Sequence, residues 1–267
     1  MRVVIGRLKK VYGEHFKNHN MKKNIVFFTT MDQAPDNMEY KKWCFESWKH
    51  WCNKHDVEIF VLDTPLYSKD LMKPTWQRWH VLEILEANNV NYDQVALVDA
   101  DTLIHPDAPN FFDLTNHEFA AVQDDLMVEW VHNSIEGYKD FFPDVNIDWT
   151  TYFNCGFVVI NEKHKALCKR ITDFYYANLE ELRNRQHNTL KKGSDQTPVN
   201  YMANEFGKVN FLNKKWNFTH LHLRGVLNQM LPKVGYIYHF NGFDKTQRDS
   251  LMNQCWTLLK QYSNVKD

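Results

Sequence analysis

The stretch Val95-Ala96-Leu97-Val98-Asp99-Ala100-Asp101 runs four apolar residues straight into two carboxylates. In an extended chain, positions i and i+2 project to the same face, so Asp99 and Asp101 converge on one point. Two ionised carboxylates held together repel each other unless a cation sits between them. Open α/β sheets bind ligands at the carboxyl ends of their strands, where this pair stands. A hard divalent ion such as Mn²⁺ or Mg²⁺ suits oxygen ligands of this kind.

Upstream of the pair, strand and helix patterns alternate. Residues 24–30 read as a buried strand closing on the polar turn 31–35. Tyr40–Lys54 sets Tyr40, Trp43, Cys44, Trp48 and Trp51 at helical spacing. Residues 57–62 form a second strand, and 76–88 a second amphipathic helix through Trp79, Leu82, Ile84 and Leu85. With strand 95–98 this is β-α-β-α-β, which implies a parallel, doubly wound sheet with right-handed crossovers. Short strands follow at 119–122, 157–160, 209–212 and 236–239, with helices at 165–185, 198–205 and 249–262. The expected fold class is α/β, a single domain over 24–267 whose mixed, mostly parallel sheet is flanked by helices. Residues 1–23 read as a basic leader, with a short strand at 2–5.

Composition narrows the class. The 267 residues are 43% hydrophobic and 24% charged, which excludes whole-chain disorder, collagen and coiled coil. No apolar run approaches the roughly 18 residues of a membrane span. The net charge of −1 conceals a strong asymmetry. Residues 93–148 carry thirteen acids and one base, Lys139, whereas 149–267 carry seventeen bases and nine acids. Most of the acidic block reads as solvated surface, and a cation site within it is the sharper reading. The five cysteines, at 44, 52, 155, 168 and 255, form no C-x-x-C. With no apolar signal region at the start, they read as reduced thiols in a cytoplasmic protein. Asn217-Phe218-Thr219 reads as a chance glycosylation sequon.

The segment from Tyr92 to Ile104 resembles the D-x-D region of GT-A glycosyltransferases. It is closest to the retaining family-8 type that includes glycogenin and the lipopolysaccharide galactosyltransferases. The resemblance extends over about residues 24–250. It implies that Asp99 and Asp101 hold a divalent metal bridging the diphosphate of a sugar nucleotide, with Ala100 between them in the cofactor site. Upstream the family carries a Lys that reaches the nucleotide; Arg78 falls there if 87–91 is an insertion, and is a departure. Thr29 and Thr30, at the end of the first strand, would frame base and ribose. Tyr152-Phe153-Asn154-Cys155-Gly156 is similar to the family's Y-F-N-x-G strand, in which the Asn touches the transferred sugar and the Gly admits the ligand. Asp124, or its neighbour Asp125, matches an Asp that binds donor-sugar hydroxyls.

Ser194-Asp195-Gln196-Thr197-Pro198-Val199-Asn200 resembles the D-Q-x-x-x-N motif, which implies Asp195 and Gln196 beside the reacting sugar. The same residues make good helix-capping chemistry. His239-Phe240-Asn241-Gly242-Phe243-Asp244-Lys245 matches H-x-x-G-x-x-K at full spacing, although Thr246-Gln247 replace the family's Pro-Trp. The resemblance makes His239 the third metal ligand and aims Lys245 at the diphosphate, with Gly242 in the same loop.

The implied activity is transfer of a hexose from a nucleotide diphosphate sugar, UDP-linked glucose or galactose, with Mn²⁺ or Mg²⁺ and with retention. The acceptor stays open among a glycan, a lipid-linked glycan, a protein and a modified nucleobase. Trp130, Trp149, Tyr152 and Trp216 are candidates for an acceptor platform. A nucleotidyltransferase would need a Gly-rich basic loop after the first strand, which Thr29-Thr30-Met31-Asp32-Gln33 is not. A phosphoesterase, or a non-catalytic carbohydrate-binding protein on the same fold, is separated from a transferase by sugar-nucleotide turnover.

Overall fold

The computed structural model describes residues 9–10, 22–29, 40–68, 70–190, 194–221 and 231–265. The expected strand at 2–5, most of the leader, the turn at 31–35 and Thr30 lie outside them. The strands are β1 (Lys9–Lys10), β2 (Lys23–Thr29), β3 (Glu58–Leu62), β4 (Tyr92–Val98), β5 (Thr102–Ile104), β6 (Ala120–Gln123), β7 (Phe153–Asn161), β8 (Asn210–Phe211) and β9 (Ile237–His239). The α-helices are α1 (Tyr40–Lys54), α2 (Pro74–Gln77), α3 (Val81–Ala87), α4 (Val128–Tyr138), α5 (Lys165–Ala177), α6 (Leu179–Asn184), α7 (Gln196–Phe206), α8 (Leu231–Val234) and α9 (Lys245–Tyr262).

Seven strands form one sheet in the order β1-β3-β2-β4-β7-β6-β8. β3, β2 and β4 are parallel, β7 is reversed between β4 and β6, and β8 runs parallel to β6. Lys9–Lys10, within the segment read as a leader, pairs antiparallel with β3 at the sheet edge. Five of the strands therefore point one way, with β1 and β7 reversed. Alternation along each strand divides the core. Ile25 and Phe27 of β2 pack with Trp76, Trp79 and Leu97 on one face. Val26 and Phe28 pack with Trp48, Trp51, Val98 and Trp256 on the other. Strands buried on both faces are apolar throughout, which is why β4 and β7 read as continuous hydrophobic runs.

Chain order fixes where a ligand binds. From β2 the chain crosses to β3 on one side, then returns to β4 on the other, opening a crevice at the carboxyl ends of β2 and β4. Thr29 and Asp99 stand there. A second sheet pairs β5 with β9 antiparallel, placing Thr102 opposite His239. β5 is only three residues long and follows the carboxylate pair directly.

Several helices differ from expectation: α4 (Val128–Tyr138) lies where none is read in the sequence, and α9 begins at Lys245 rather than at 249. The helix read at 76–88 is α2 and α3 joined by a 3₁₀ turn, Arg78–His80, in which Arg78 is 5% exposed. The helix read at 165–185 breaks at Asn178, whose Nδ2 donates to the carbonyl of Phe174 and competes with the helical ladder. A π-turn, Arg185–Thr189, follows α6. All five cysteines are free and buried. Among the described residues no helix is long and apolar enough to cross a membrane.

Candidate active site

Strand geometry brings the site together. The N–H of Asp99 donates to the carbonyl of Gly156 at 2.9 Å, and that of Phe240 to the carbonyl of Asp101 at 2.8 Å. The turn between β4 and β5 is thus pinned to β7 on one side and β9 on the other. Thr102 Oγ1 donates to the Asp99 carbonyl and accepts from Trp48 Nε1, tying the same turn to α1. Ligand atoms of Asp99, Asp101 and His239 then lie within 4.8 Å of one another. His239 Nε2 stands 3.3 Å from Asp101 Oδ1 and 3.7 Å from Asp99 Oδ2.

The imidazole is oriented by a relay whose direction a backbone group fixes. The N–H of Gly156 donates to Asn154 Oδ1 at 2.9 Å, and Asn217 Nδ2 donates to the same oxygen at 3.0 Å. Asn217 Oδ1 therefore faces His239 Nδ1 at 3.0 Å and must accept its proton. That leaves Nε2 turned to the carboxylates. It is buried and makes no hydrogen bond there. Burial works against charge on His239, yet Asp101 and Asp99 outweigh it and raise its pKa above the ordinary imidazole value. Burial likewise opposes ionisation of Asp101, but His239 and Arg248 overcome it and hold this carboxyl below its usual range.

These residues fit a divalent cation. Two carboxylates and an imidazole nitrogen with no other partner are a workable donor set, and an imidazole held by its other nitrogen is the usual support for a metal-bound histidine. Gly156 leaves the space open. A Cβ there would lie 2.2 Å from His239 Cε1, 2.8 Å from Asn154 Oδ1 and 2.9 Å from Asp99 Oδ2.

Arg78 adds fixed positive charge. Its Nη1 meets Asp99 Oδ1 at 2.8 Å and donates to the Cys155 carbonyl, while Nε donates to the Thr75 carbonyl and stands 3.8 Å from Asp195 Oδ2. Burial opposes the guanidinium charge, but Asp99 and Asp195 more than offset this. Asp195 is 3% exposed and precedes α7. Its side chain makes no cap bond there, because it accepts from Trp79 Nε1 at 2.9 Å instead. The expected capping is therefore absent. Burial raises the Asp195 pKa despite Arg78 and Trp79.

The adjacent acids Asp124 and Asp125 part company. Asp124 extends the β6 ladder through its N–H to Tyr152 and turns a buried carboxylate inward, accepting from Gln196 Nε2 at 2.9 Å and Asn154 Nδ2 at 3.3 Å. Asp125 pairs with Lys214 and lies 3.6 Å from His220. Gln196 Oε1 accepts from the Cys155 N–H, and Asn200 clamps both backbone groups of Phe153. Asp124, Asn154, Gln196 and Asn241 share a cleft of about 430 Å³ with Leu126, Met127 and Trp130, and Gly242 completes its lining. Gly242 has φ +80°, a conformation that favours glycine. Lys245 is exposed at the start of α9 and makes no ion pair among the described residues. Thr29 and Ala100 are half-buried. Of the four candidate platform aromatics, Tyr152 and Trp216 are core residues, whereas Trp149 is exposed and Trp130 lines the cleft.

Three contributors carry no motif signal. Asn217, visible in the sequence only as a sequon, is buried within the relay. Arg248 donates to the carbonyls of Phe240 and Phe243 and lies 3.5 Å from Asp101 Oδ2, bracing the loop after β9. Gln186, buried in the π-turn, accepts from Lys73 Nζ at 3.1 Å and donates to the Ser194 carbonyl at 2.8 Å, supporting the residue before Asp195.

A mixed sheet with paired carboxylates at its switch point and a histidine returning from a small second sheet defines a glycosyltransferase of the GT-A type. The fold matches that of a solved glycosyltransferase involved in the glycosylation of the major capsid of PBCV-1, at TM-score 0.55 and 11% identity over 86% of this chain and 98% of that one. The apo-form glycosyltransferase GlyE of Streptococcus pneumoniae TIGR4 gives TM-score 0.49 and 14% identity over 91% of this chain and 64% of that one. No curated protein matched the sequence at a significant level. Residues 11–249 match glycosyl transferase family 8, and the chain belongs to that family.

Proposed function

We propose that this glycosyltransferase moves a hexose from a UDP-linked sugar to an acceptor hydroxyl, with Mn²⁺ or Mg²⁺ and with retention at the anomeric carbon. The observation that carries this reading is the cluster of Asp99, Asp101 and His239, with His239 Nε2 buried and unbonded beside two carboxylates. A divalent cation held by these three residues would supply Lewis-acid stabilisation of the departing diphosphate. Arg78 holds Asp99 in place and keeps positive charge in the water-poor floor of the site. Lys245, exposed beside the loop, is free to meet a phosphate oxygen. Asp124, Asn154 and Asp195 orient the sugar hydroxyls, and Gln196 ties Asp124 to the β7 backbone. Thr29 and Thr30 frame base and ribose. The five reduced thiols support a cytoplasmic setting.

The test is turnover of UDP-glucose and UDP-galactose with Mn²⁺, scored by UDP release and by the anomeric configuration of the product. Asp101→Asn is expected to lose at least roughly a hundredfold in metal-dependent turnover. Full turnover in that variant sinks the metal assignment.

A further inference from the structure

The transfer reading leaves the acceptor unnamed, and the cleft beside Asp124 bears on it. Any acceptor hydroxyl has to reach the carbon of a sugar held by Asp124 and Asn154, so residues sharing their cleft lie within its reach. Three of those residues are large and apolar yet reach solvent: Leu126 and Trp130 are half-buried, and Met127 is 54% exposed. Trp130 stands edge-to-face on buried Tyr152 at 6.4 Å between ring centroids. Asn241 Oδ1 belongs to the same lining, is buried, and accepts no hydrogen bond among the described residues. A buried acceptor without a donor calls for an incoming O–H or N–H. Among the described residues the lining includes no basic side chain and one carboxylate, Asp124, which is already engaged by Asn154 and Gln196.

We propose that Leu126, Met127, Trp130 and Asn241 form the acceptor subsite, and that it takes a neutral pyranose. The proposal rests on the transfer reading above. A pyranose offers an apolar C–H face to an indole and a thioether, and hydroxyls around its edge to an unpaired amide oxygen. A phosphorylated or carboxylated acceptor would bring anionic charge to a lining whose described residues include one carboxylate and no cation. A wholly apolar acceptor would leave Asn241 Oδ1 unpaired.

The experiment is direct binding of lactose, maltose and cellobiose to the full chain with Mn²⁺ and UDP present, followed by saturation-transfer NMR, with glucose 6-phosphate as the anionic comparator. At least one neutral disaccharide is expected to bind. Trp130→Ala should weaken it about tenfold or more, and Trp130→Phe should restore most of the affinity. Met127→Lys, at an exposed position that does not load the core, should weaken it too. The proposal is overturned if none of the three disaccharides binds, if Trp130→Ala and Met127→Lys bind them as the parent does, or if glucose 6-phosphate binds more tightly. UDP-sugar turnover measured in parallel separates the two readings. Saccharide binding that depends on Trp130 without UDP-sugar turnover upholds the saccharide site and overturns the UDP-hexose reading on which its role as acceptor subsite rests. Turnover with saccharide binding indifferent to Trp130 does the reverse.

Discussion

Arg78 meets Asp99 with its own side chain 6% exposed, whereas Arg170 meets Glu205 with both side chains more than 40% exposed. The first pair lies in a network in which Asp195 and His239 are buried and Asp101 is largely covered, Asp99 alone reaching 30% exposure; the second joins α5 to α7 at the surface. Burying charge costs several kcal/mol per ion unless each group is held by partners. Around Arg78 every charge is so held, by Cys155 and Thr75 carbonyls, by Trp79 and by Asn217 through His239. Nothing about stability requires that arrangement, because an apolar core of the same volume would serve as well. Pre-organised charge at one point is what catalysis requires. The thirteen acids of residues 93–148 contain both kinds, and net charge cannot separate them.

The contrast predicts the largest effect where a change displaces several buried groups at once. Gly156→Ala puts a methyl 2.2 Å from His239 and inside contact distance of Asp99 and Asn154, all three of which are tied to neighbours. Metal-dependent turnover should fall about a hundredfold or more, with a stability loss of about 1–3 kcal/mol from overpacking. Wild-type turnover in this variant, with the fold verified by urea melting, would show that the close approach at residue 156 is irrelevant to activity.

Much of the frame was legible because it rests on local periodicity. The β2-α1-β3 order and the buried run into Asp99 were visible as alternating patterns. So were the D-x-D, N-x-G, D-Q and H-x-x-G-x-x-K residues, which the fold gathers at one end of the sheet. Apart from α4 (Val128–Tyr138), an eleven-residue helix that the sequence reading passed over, what escaped is non-local or too short. Arg78 sits in a single 3₁₀ turn, and three residues cannot reveal a period of 3.0 against 3.6. β5 has three residues and no alternation to read. Asp124 and Asp125 differ only in which side of an extended chain they face, and the pairing of Asp124 with Tyr152 settles that. Asn217 and Arg248 act through contacts to His239 and Asp101, residues far along the chain, which no spacing pattern encodes.

Asn217 sharpens the comparison because it carries no charge. Asn217→Ala removes the acceptor of His239 Nδ1 and one donor to Asn154 Oδ1. Affinity for Mn²⁺ should drop about 10–100-fold, measured by calorimetric or spin-resonance titration. Asn217→Asp keeps an acceptor for the imidazole and loses the donor to Asn154, so it should recover part of the loss. An unchanged titration in the alanine variant breaks the orienting role. Gln186→Leu comes next. It leaves the Ser194 carbonyl and Lys73 without their partner, at a cost of about 1–3 kcal/mol in denaturant unfolding. Mn²⁺ affinity should be unchanged, since Gln186 touches none of the three ligands.

The smallest effect belongs to the exposed pair. Arg170 and Glu205 link α5 to α7 at the surface, where solvent screens Coulomb attraction and two long side chains lose rotamer freedom to meet. Arg170→Ala should change unfolding free energy by no more than about 0.5 kcal/mol and leave turnover untouched. What little it contributes should vanish in molar salt, because exposed pairs are the ones salt screens. A loss as large as that of Gln186→Leu would mean that α5 and α7 depend on this contact to hold Asp195 at the head of α7. The distinction between a buried, organised network and a dispensable surface charge would then fail at the point where the two regions meet.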